Sequence, residues 1–212
     1  TGGTLHILGL GIDPEAEELR RLAERLREAR DERNPKMLAR LRALGVPITM
    51  EDVLAEGSAP ADGRPLVIGR MHFALALCRK GGATSVAEAF DRYLGDGAPA
   101  YVDKERIAPA EAIGAIRQAG GLAVLAHPVQ LHLANRAQLE RVVRELARHG
   151  LGAIEVYHTE HTPAQTRAFL DLARRLGLGV TGGSDFHGAA KPEAVLGRPR
   201  VPASVVPAGL LG

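Results

Sequence analysis

From about residue 107 onward the chain alternates between helical and strand-like segments, and this alternation restricts its fold more than any other feature. Apolar residues recur at helical spacing over 109–119, 135–149 and 163–176, and short apolar runs fall between them at 122–126, 152–157 and 178–182. Strict strand–helix alternation predicts a parallel sheet or barrel. Gly120, Gly150 and Gly177 stand where each helix is expected to stop, and Pro163 stands in a first turn. An earlier run at 4–12 reads as one more strand. Asp13-Pro14 then opens a helix, with Asp13 as N-cap, and Asn34-Pro35 is expected to break or kink it. Thr49-Met50-Glu51-Asp52 reads as a capping box opening a short helix. Residues 58–65 read as a loop, 67–79 and 84–94 as helices, and 198–212 as a tail with at most one short strand. The helices of 14–96 do not fit the alternation and read as an insertion between the first strand and the rest.

The 212 residues suffice for one large or two small domains, and an apolar fraction of 45% supports a sizeable core. Aromatic residues make up only 3% and Trp is absent, so that core must be built from Leu, Ala, Val and Ile. A formal net charge of +2 gives no basic stripe for long nucleic acid and no pull toward an acidic membrane surface. No run of 18 apolar residues exists to span a bilayer. A single cysteine, Cys78, excludes an internal disulfide, suits a reducing cytoplasm and reads as a small buried residue. The chain opens on Thr-Gly-Gly just before a strand, and residues belonging to the domain are expected upstream.

The ends of the apolar runs carry the chemistry. Gly182-Gly183-Ser184-Asp185-Phe186-His187-Gly188 places a carboxylate and an imidazole where a strand becomes a loop. His127-Pro128 ends the run 121–126, His158 and His161 follow 152–157, and His6 lies within 4–11. Strand ends are where α/β folds collect their functional groups. Neutral imidazole and ionised carboxylate both suit Zn, Mn or Fe. Taken singly, each histidine reads as a hydrogen-bonded core or loop residue; the recurrence favours a shared site. No nucleophile elbow, Cys–His pair, phosphate-gripping loop or dinucleotide fingerprint is present.

Ala126-His127-Pro128 and Gly183-Ser184-Asp185-Phe186-His187 resemble the third and fourth signature motifs of the PHP (polymerase and histidinol phosphatase) phosphoesterases. Five further segments resemble the TrpH-type branch of that family. They are 6–13, Arg70-Met71-His72-Phe73-Ala74, Tyr93-Leu94, Pro99-Ala100-Tyr101-Val102, and Glu155-Val156-Tyr157 with His161-Thr162. The resemblance implies an α/β fold, a distorted (β/α)7 barrel, with 1–13 and 101–212 as the barrel portion and 14–100 as a helical insertion over its mouth. It implies two or three divalent ions (Mn, Mg, Zn or Fe), with His6, His127, Asp185 and His187 as ligands. The family's remaining ligands would precede residue 1. Arg70, His72 and His161 carry over as substrate contacts, His72 and His161 also as catalytic proton carriers, and Glu155 as a residue that orients a ligand; Lys104, standing where the branch has an imidazole, is expected to replace it as a phosphate contact. Arg30 and Arg33 read as a solvated helix face, with reach to a substrate phosphate as the alternative.

The implied activity is metal-dependent hydrolysis of nucleotide phosphate monoesters, such as a nucleoside 3′,5′-bisphosphate or an AMP-like compound, or of short 5′-phosphorylated oligonucleotides. A histidinol-phosphate-type phosphatase and a non-catalytic binding domain are the alternatives, and the helical insertion argues against the former. Two departures from the family pattern bear on the substrate. Val129-Gln130-Leu131 replaces Gly-Arg-Tyr after the third motif and removes an arginine, and Asp103-Lys104 replaces a pair ending in His.

Overall fold

The structure, a computed structural model, describes residues 3–58, 66–103, 106–188, 191 and 194–207. In chain order its strands are β1 (Ile7–Leu10), β2 (Leu122–Leu125), β3 (Ala153–His158) and β4 (Gly179–Gly183). Its helices are α1 (Glu17–Ala43), α2 (Met50–Leu54), α3 (Arg70–Arg79), α4 (Val86–Ala89), α5 (Pro109–Gln118), α6 (Arg136–Arg148) and α7 (Pro163–Leu176). A π-helical turn, Phe90–Leu94, continues α4, and a 3₁₀ turn, Pro128–Leu131, follows β2. The chain divides into two compact units, Thr1–Leu22 with Ile107–Gly212, and Ala23–Arg106, so the boundary falls inside α1.

The first unit is a mixed α/β layer. Its sheet runs in the order β1-β2-β3-β4, with β2, β3 and β4 parallel. β2 is Leu-Ala-Val-Leu and β3 begins Ala-Ile-Glu-Val, nearly all buried. Such runs, apolar throughout in β2 and broken only by the buried Glu155 at the start of β3, belong to strands covered on both faces. Ile113 and Ile116 of α5, Leu139, Val143 and Leu146 of α6, and Phe169, Leu172 and Ala173 of α7 recur at helical spacing and share one core with Leu125, Ile154, Val156 and Val180. β1 departs from the parallel expectation: it pairs antiparallel with β2, Ile7 opposite Leu125 and Leu10 opposite Leu122. More than a hundred residues separate the two strands, so no tight strand–helix–strand crossover dictates a parallel return. β1 and β4 are the sheet's edges, and a closed seven-stranded barrel is not seen among the described residues.

The second unit is helical, and its core gathers Met37, Leu38, Leu41, Phe73, Ala74, Leu77 and Leu94. The capping box forms as expected: the Asp52 N–H donates to Thr49 Oγ1 at 3.2 Å and the Thr49 N–H to Asp52 Oδ2 at 2.9 Å. Two sequence expectations fail here or at the start of α1, and of the break or kink expected at Asn34-Pro35 the break does not occur. The helix begins at Glu17, because Asp13 caps a turn instead, its Oδ1 accepting from the Glu15 N–H at 2.9 Å. α1 also runs through Pro35 without ending. A mid-helix proline costs about 3 kcal/mol, but Met37 and Leu41 just beyond it are fully buried. Burial of that kind contributes about 1.5–3 kcal/mol per side chain, enough to offset the loss. Arg33 does not lie on a solvated face: it is buried, with its Nη2 donating to Asn34 Oδ1 at 2.8 Å. The loop expected at 58–65 lies mostly outside the described residues.

Ile154 is 1% exposed in the first unit's core, whereas Leu196 is 69% exposed. Ile154→Ala is expected to lower unfolding stability by about 2–5 kcal/mol and Leu196→Ala by less than about 0.5 kcal/mol. Denaturant titration followed by circular dichroism measures both, and equal effects would contradict this placement of the core.

Candidate active site

The site lies at the carboxyl ends of β2, β3 and β4, where three loops meet. His127 follows β2 with φ 25°, a left-handed backbone for a residue that is not glycine. Strain of this kind persists only where the surroundings over-determine it, and it gathers at functional sites. The buried carboxylate of Glu155 supplies the determination: its Oε2 accepts the His127 backbone N–H at 2.7 Å. Burial pushes the Glu155 carboxyl up, and the His127 N–H acts against that rise. The β3–β4 register is irregular between Glu155 and Tyr157, a distortion that re-aims side chains beside a site. Gly183 of β4 lies against the same carboxylate; a Cβ there would come within 2.5 Å of Glu155 Oε1. The glycine therefore makes room for the Glu155 carboxylate.

Four imidazoles form a row on this framework. His6 Nδ1 and His127 Nε2 are 3.1 Å apart and share a hydrogen bond. The ring centroids of His127 and His158 are 5.7 Å apart, and those of His158 and His161 are 5.1 Å apart. His161 Nδ1 donates to the Val156 carbonyl at 2.9 Å, and its ring abuts Phe169 edge-on. His158 Nδ1 accepts the Glu160 N–H at 3.2 Å. Three ring nitrogens are buried without a hydrogen-bond partner among the described residues: His127 Nδ1, His158 Nε2 and His161 Nε2. Burial holds both His158 and His161 toward the neutral form and lowers the His158 pKa to about 4.

Asp185, after β4, also has a left-handed backbone, φ 53°. Its Oδ2 is 2.7 Å from Lys191 Nζ, which also reaches Glu160 Oε1 at 2.6 Å; Gln130 in turn donates to Glu160 at 3.1 Å. These bonds tie the loops after β2, β3 and β4 together. Burial acts to raise the Asp185 pKa, but the hydrogen bond and charge of Lys191 outweigh it, and the pKa is lowered. His187 Nδ1 donates to the Asp185 carbonyl at 2.8 Å, and its side chain is mostly exposed.

Of the four expected metal ligands, His6 and His127 touch, and Asp185 and His187 are neighbours; no three His, Cys, Asp or Glu side chains among the described residues are arranged to hold a metal ion. The donor chemistry nevertheless fits a divalent ion. Two imidazole ligands of one ion, each bonded at about 2.1 Å, sit roughly 3.0–3.4 Å apart, and the His6–His127 separation matches. Asp185 is ionised nearby, its pKa lowered by Lys191. Arg70 and His72 lie in the second unit. Arg70 donates to the Leu94 carbonyl at 3.1 Å and stacks over Tyr101, while His72 Nδ1 accepts the Gly69 N–H at 3.1 Å. Lys104 lies outside the described residues. Sequence reasoning missed Lys191, Glu160 and Gln130, because a lysine six residues beyond a carboxylate carries no periodic signal. It noted His158 only as a flanking residue.

No family model matches the chain. Among curated relatives it is 35% identical over 87% of its length to a 3′,5′-nucleoside bisphosphate phosphatase of Chromobacterium violaceum, covering 62% of that protein. It is 34% identical over 86% of its length to the 5′–3′ exoribonuclease Rnm of Escherichia coli, covering 60% of it. It is 32% identical over 88% of its length to a phosphoribosyl 1,2-cyclic phosphate 1,2-diphosphodiesterase of Eggerthella lenta, covering 68% of it. A solved chain from Bifidobacterium adolescentis, described as a candidate metal-dependent phosphoesterase, superposes with a TM-score of 0.76 at 32% identity, over 89% of this chain and 64% of that one. The chain thus spans about three fifths of the length of the first two curated relatives.

The lowered His158 pKa gives stability a definite pH dependence. Below the ordinary histidine value near 6.5 the unfolded chain takes up a proton that folded His158 refuses until about pH 4. Binding more protons when unfolded means that stability falls as pH falls across that window. Thermal melts of the wild type from pH 7 to pH 4 are expected to show this decline, and His158→Gln is expected to flatten it. An unchanged slope in the variant would contradict a neutral, buried His158.

Proposed function

Because this chain belongs to the PHP-type family of phosphoesterases, we propose that it hydrolyses phosphate esters of nucleotides, as a member of the TrpH-type branch. The substrate class we favour is a nucleoside 3′,5′-bisphosphate or a short 5′-phosphorylated oligonucleotide. The names of the phosphatase and exoribonuclease relatives support that class, as does the small net charge, +2, which suits a ligand with few phosphates. The observation that carries the proposal is the imidazole row at the strand ends, with ring nitrogens buried and unpartnered among the described residues near an ionised Asp185.

In this reading His6, His127, Asp185 and His187 hold divalent ions. When bound, such ions lower the pKa of water and offset charge on phosphoryl oxygens. The protein's own groups prepare the site. Glu155 fixes the His127 backbone, and so the ring that meets His158 and His6 edge to face. Lys191 holds one Asp185 oxygen and leaves Oδ1 on the His187 side. His161 donates through Nδ1, so its Nε2 keeps the lone pair; with a lowered pKa it suits accepting a proton or ligating better than giving one. In the second unit His72 accepts at Nδ1, so its neutral ring carries the proton on Nε2. That is the form required of the donor to a leaving alkoxide, with Arg70 and Lys104 as phosphate contacts.

The test is release of inorganic phosphate from a nucleoside 3′,5′-bisphosphate, and of mononucleotides from a 5′-phosphorylated short RNA, in Mn or Mg. Activity is expected to vanish with chelator and to fall by about 10²-fold or more in His127→Ala, since a lost ligand exceeds the 10–100-fold typical of a lost outer contact. Chelator-insensitive turnover would overturn the metal-dependent reading. Stoichiometric metal binding without turnover on either substrate would favour a binding role.

A further inference from the structure

His158 is 3% exposed, and its two ring nitrogens are not equivalent. Nδ1 faces the backbone N–H of Glu160 at 3.2 Å. A backbone N–H can only donate, so Nδ1 must accept, and a neutral imidazole then carries its proton on Nε2. That Nε2–H is buried and has no acceptor among the described residues. Its nearest aromatic neighbours are His127 at 5.7 Å and His161 at 5.1 Å between ring centroids. The His161 ring has the opposite polarity, because its Nδ1 donates to the Val156 carbonyl and its unpartnered Nε2 holds a lone pair.

Buried donors without acceptors are rare in native proteins, and each calls for an absent partner. A metal ion is the wrong partner for His158, because the unengaged nitrogen already carries a proton and the other accepts the Glu160 N–H. The right partner offers an oxygen lone pair, as a phosphoryl oxygen does. We propose that His158 is a substrate-binding residue, a neutral hydrogen-bond donor through Nε2–H to a phosphoryl oxygen of the substrate or of the released phosphate. This rests on the phosphoesterase reading and adds to it a phosphate contact from a residue that is neither a metal ligand nor a cation. Such a contact also answers the loss of the arginine that Val129-Gln130-Leu131 leaves out of the third motif. A neutral donor stabilises phosphoryl charge without placing a second cation among imidazoles that must stay unprotonated to ligate.

Two variants and one spectrum test it. His158→Phe keeps the bulk and removes the donor; His158→Gln keeps an N–H near the position of Nε2. Titration of inorganic phosphate into the Mg-loaded protein is expected to show affinity weakened about 10-fold or more in the Phe variant, as loss of a hydrogen bond to a charged group would give. The Gln variant is expected to recover most of it, and Mg affinity to be unchanged in both. ¹⁵N-histidine correlation spectra of the wild type are expected to show His158 protonated at Nε2. Weakened Mg binding in either variant, or a proton on Nδ1, would overturn the assignment in favour of a ligand role. Unchanged phosphate affinity in the Phe variant would overturn it in favour of a structural bond to a buried water. The two readings fail separately: wild-type protein that binds phosphate through His158 without hydrolysing nucleotides sinks the phosphoesterase reading alone, and normal hydrolysis by the Phe variant sinks this one alone.

Discussion

The hydrogen bond from the His127 backbone to the buried Glu155 carboxylate, 2.7 Å long, holds the site together. It joins the end of β2 to the interior of β3 and stabilises a backbone angle that a non-glycine residue rarely adopts. Its removal would leave both a buried carboxylate without its donor and a strained histidine free to relax, and each is costly. The bond also explains a glycine in the neighbouring strand: Gly183 has no side chain because Glu155 Oε1 occupies that space. One carboxylate therefore links the shape of β4, the irregular β3–β4 register and the direction of the His127 ring.

Electrostatics around this framework follows one pattern, in which cations stay outside the imidazole row. Burial keeps His158 and His161 neutral, and neutrality is the state in which imidazole can ligate or accept. The ammonium group of Lys191 is held between Asp185 and Glu160, so its charge is balanced by two carboxylates and it ties two loops. In exchange, one oxygen of Asp185 is engaged and its ionised form is favoured. A divalent ion added beside Asp185 would meet an existing carboxylate, with two neighbouring rings that bring no charge of their own.

Much of the first unit was legible from periodicity, because α5, α6 and α7 and the strands between them are short, separate and amphipathic or wholly apolar. The direction of β1 was not legible, since antiparallel and parallel pairing place the same apolar residues against β2 and the long connection permits either. Pro35 misled the reading because a local rule for proline ignores the buried Met37 and Leu41 beyond it, and tertiary packing outweighed it. Among the site residues, His6 and His127 were visible because they end or adjoin strand runs. Lys191 and Glu160 were not visible, because their importance comes from three loops converging, a fact of topology with no trace in spacing. His158 was visible as a histidine but not as a donor; only the Glu160 N–H on its Nδ1 settles which nitrogen carries the proton.

The positions of strain show how such a site can coexist with a stable fold. Among the described residues the non-glycine residues with positive φ are His127, His132 and Asp185, and two of these are expected metal ligands. Glycine at 127 or 185 would remove the strain, but glycine cannot ligate. The chain accepts strain of about 1–3 kcal/mol at each such position; His127 stands just beyond β2, which like β3 is almost fully buried, whereas Asp185 follows the less buried β4. The burial is carried by Val124, Leu125, Ile154 and Val156, each no more than 1% exposed. Of those strands β2 aims His127, so an element that carries the stability also sets the geometry. A site placed on the exposed edge strand β1 would lack that support; the residue β1 contributes, His6, lies just before the strand and is held by its bond to His127.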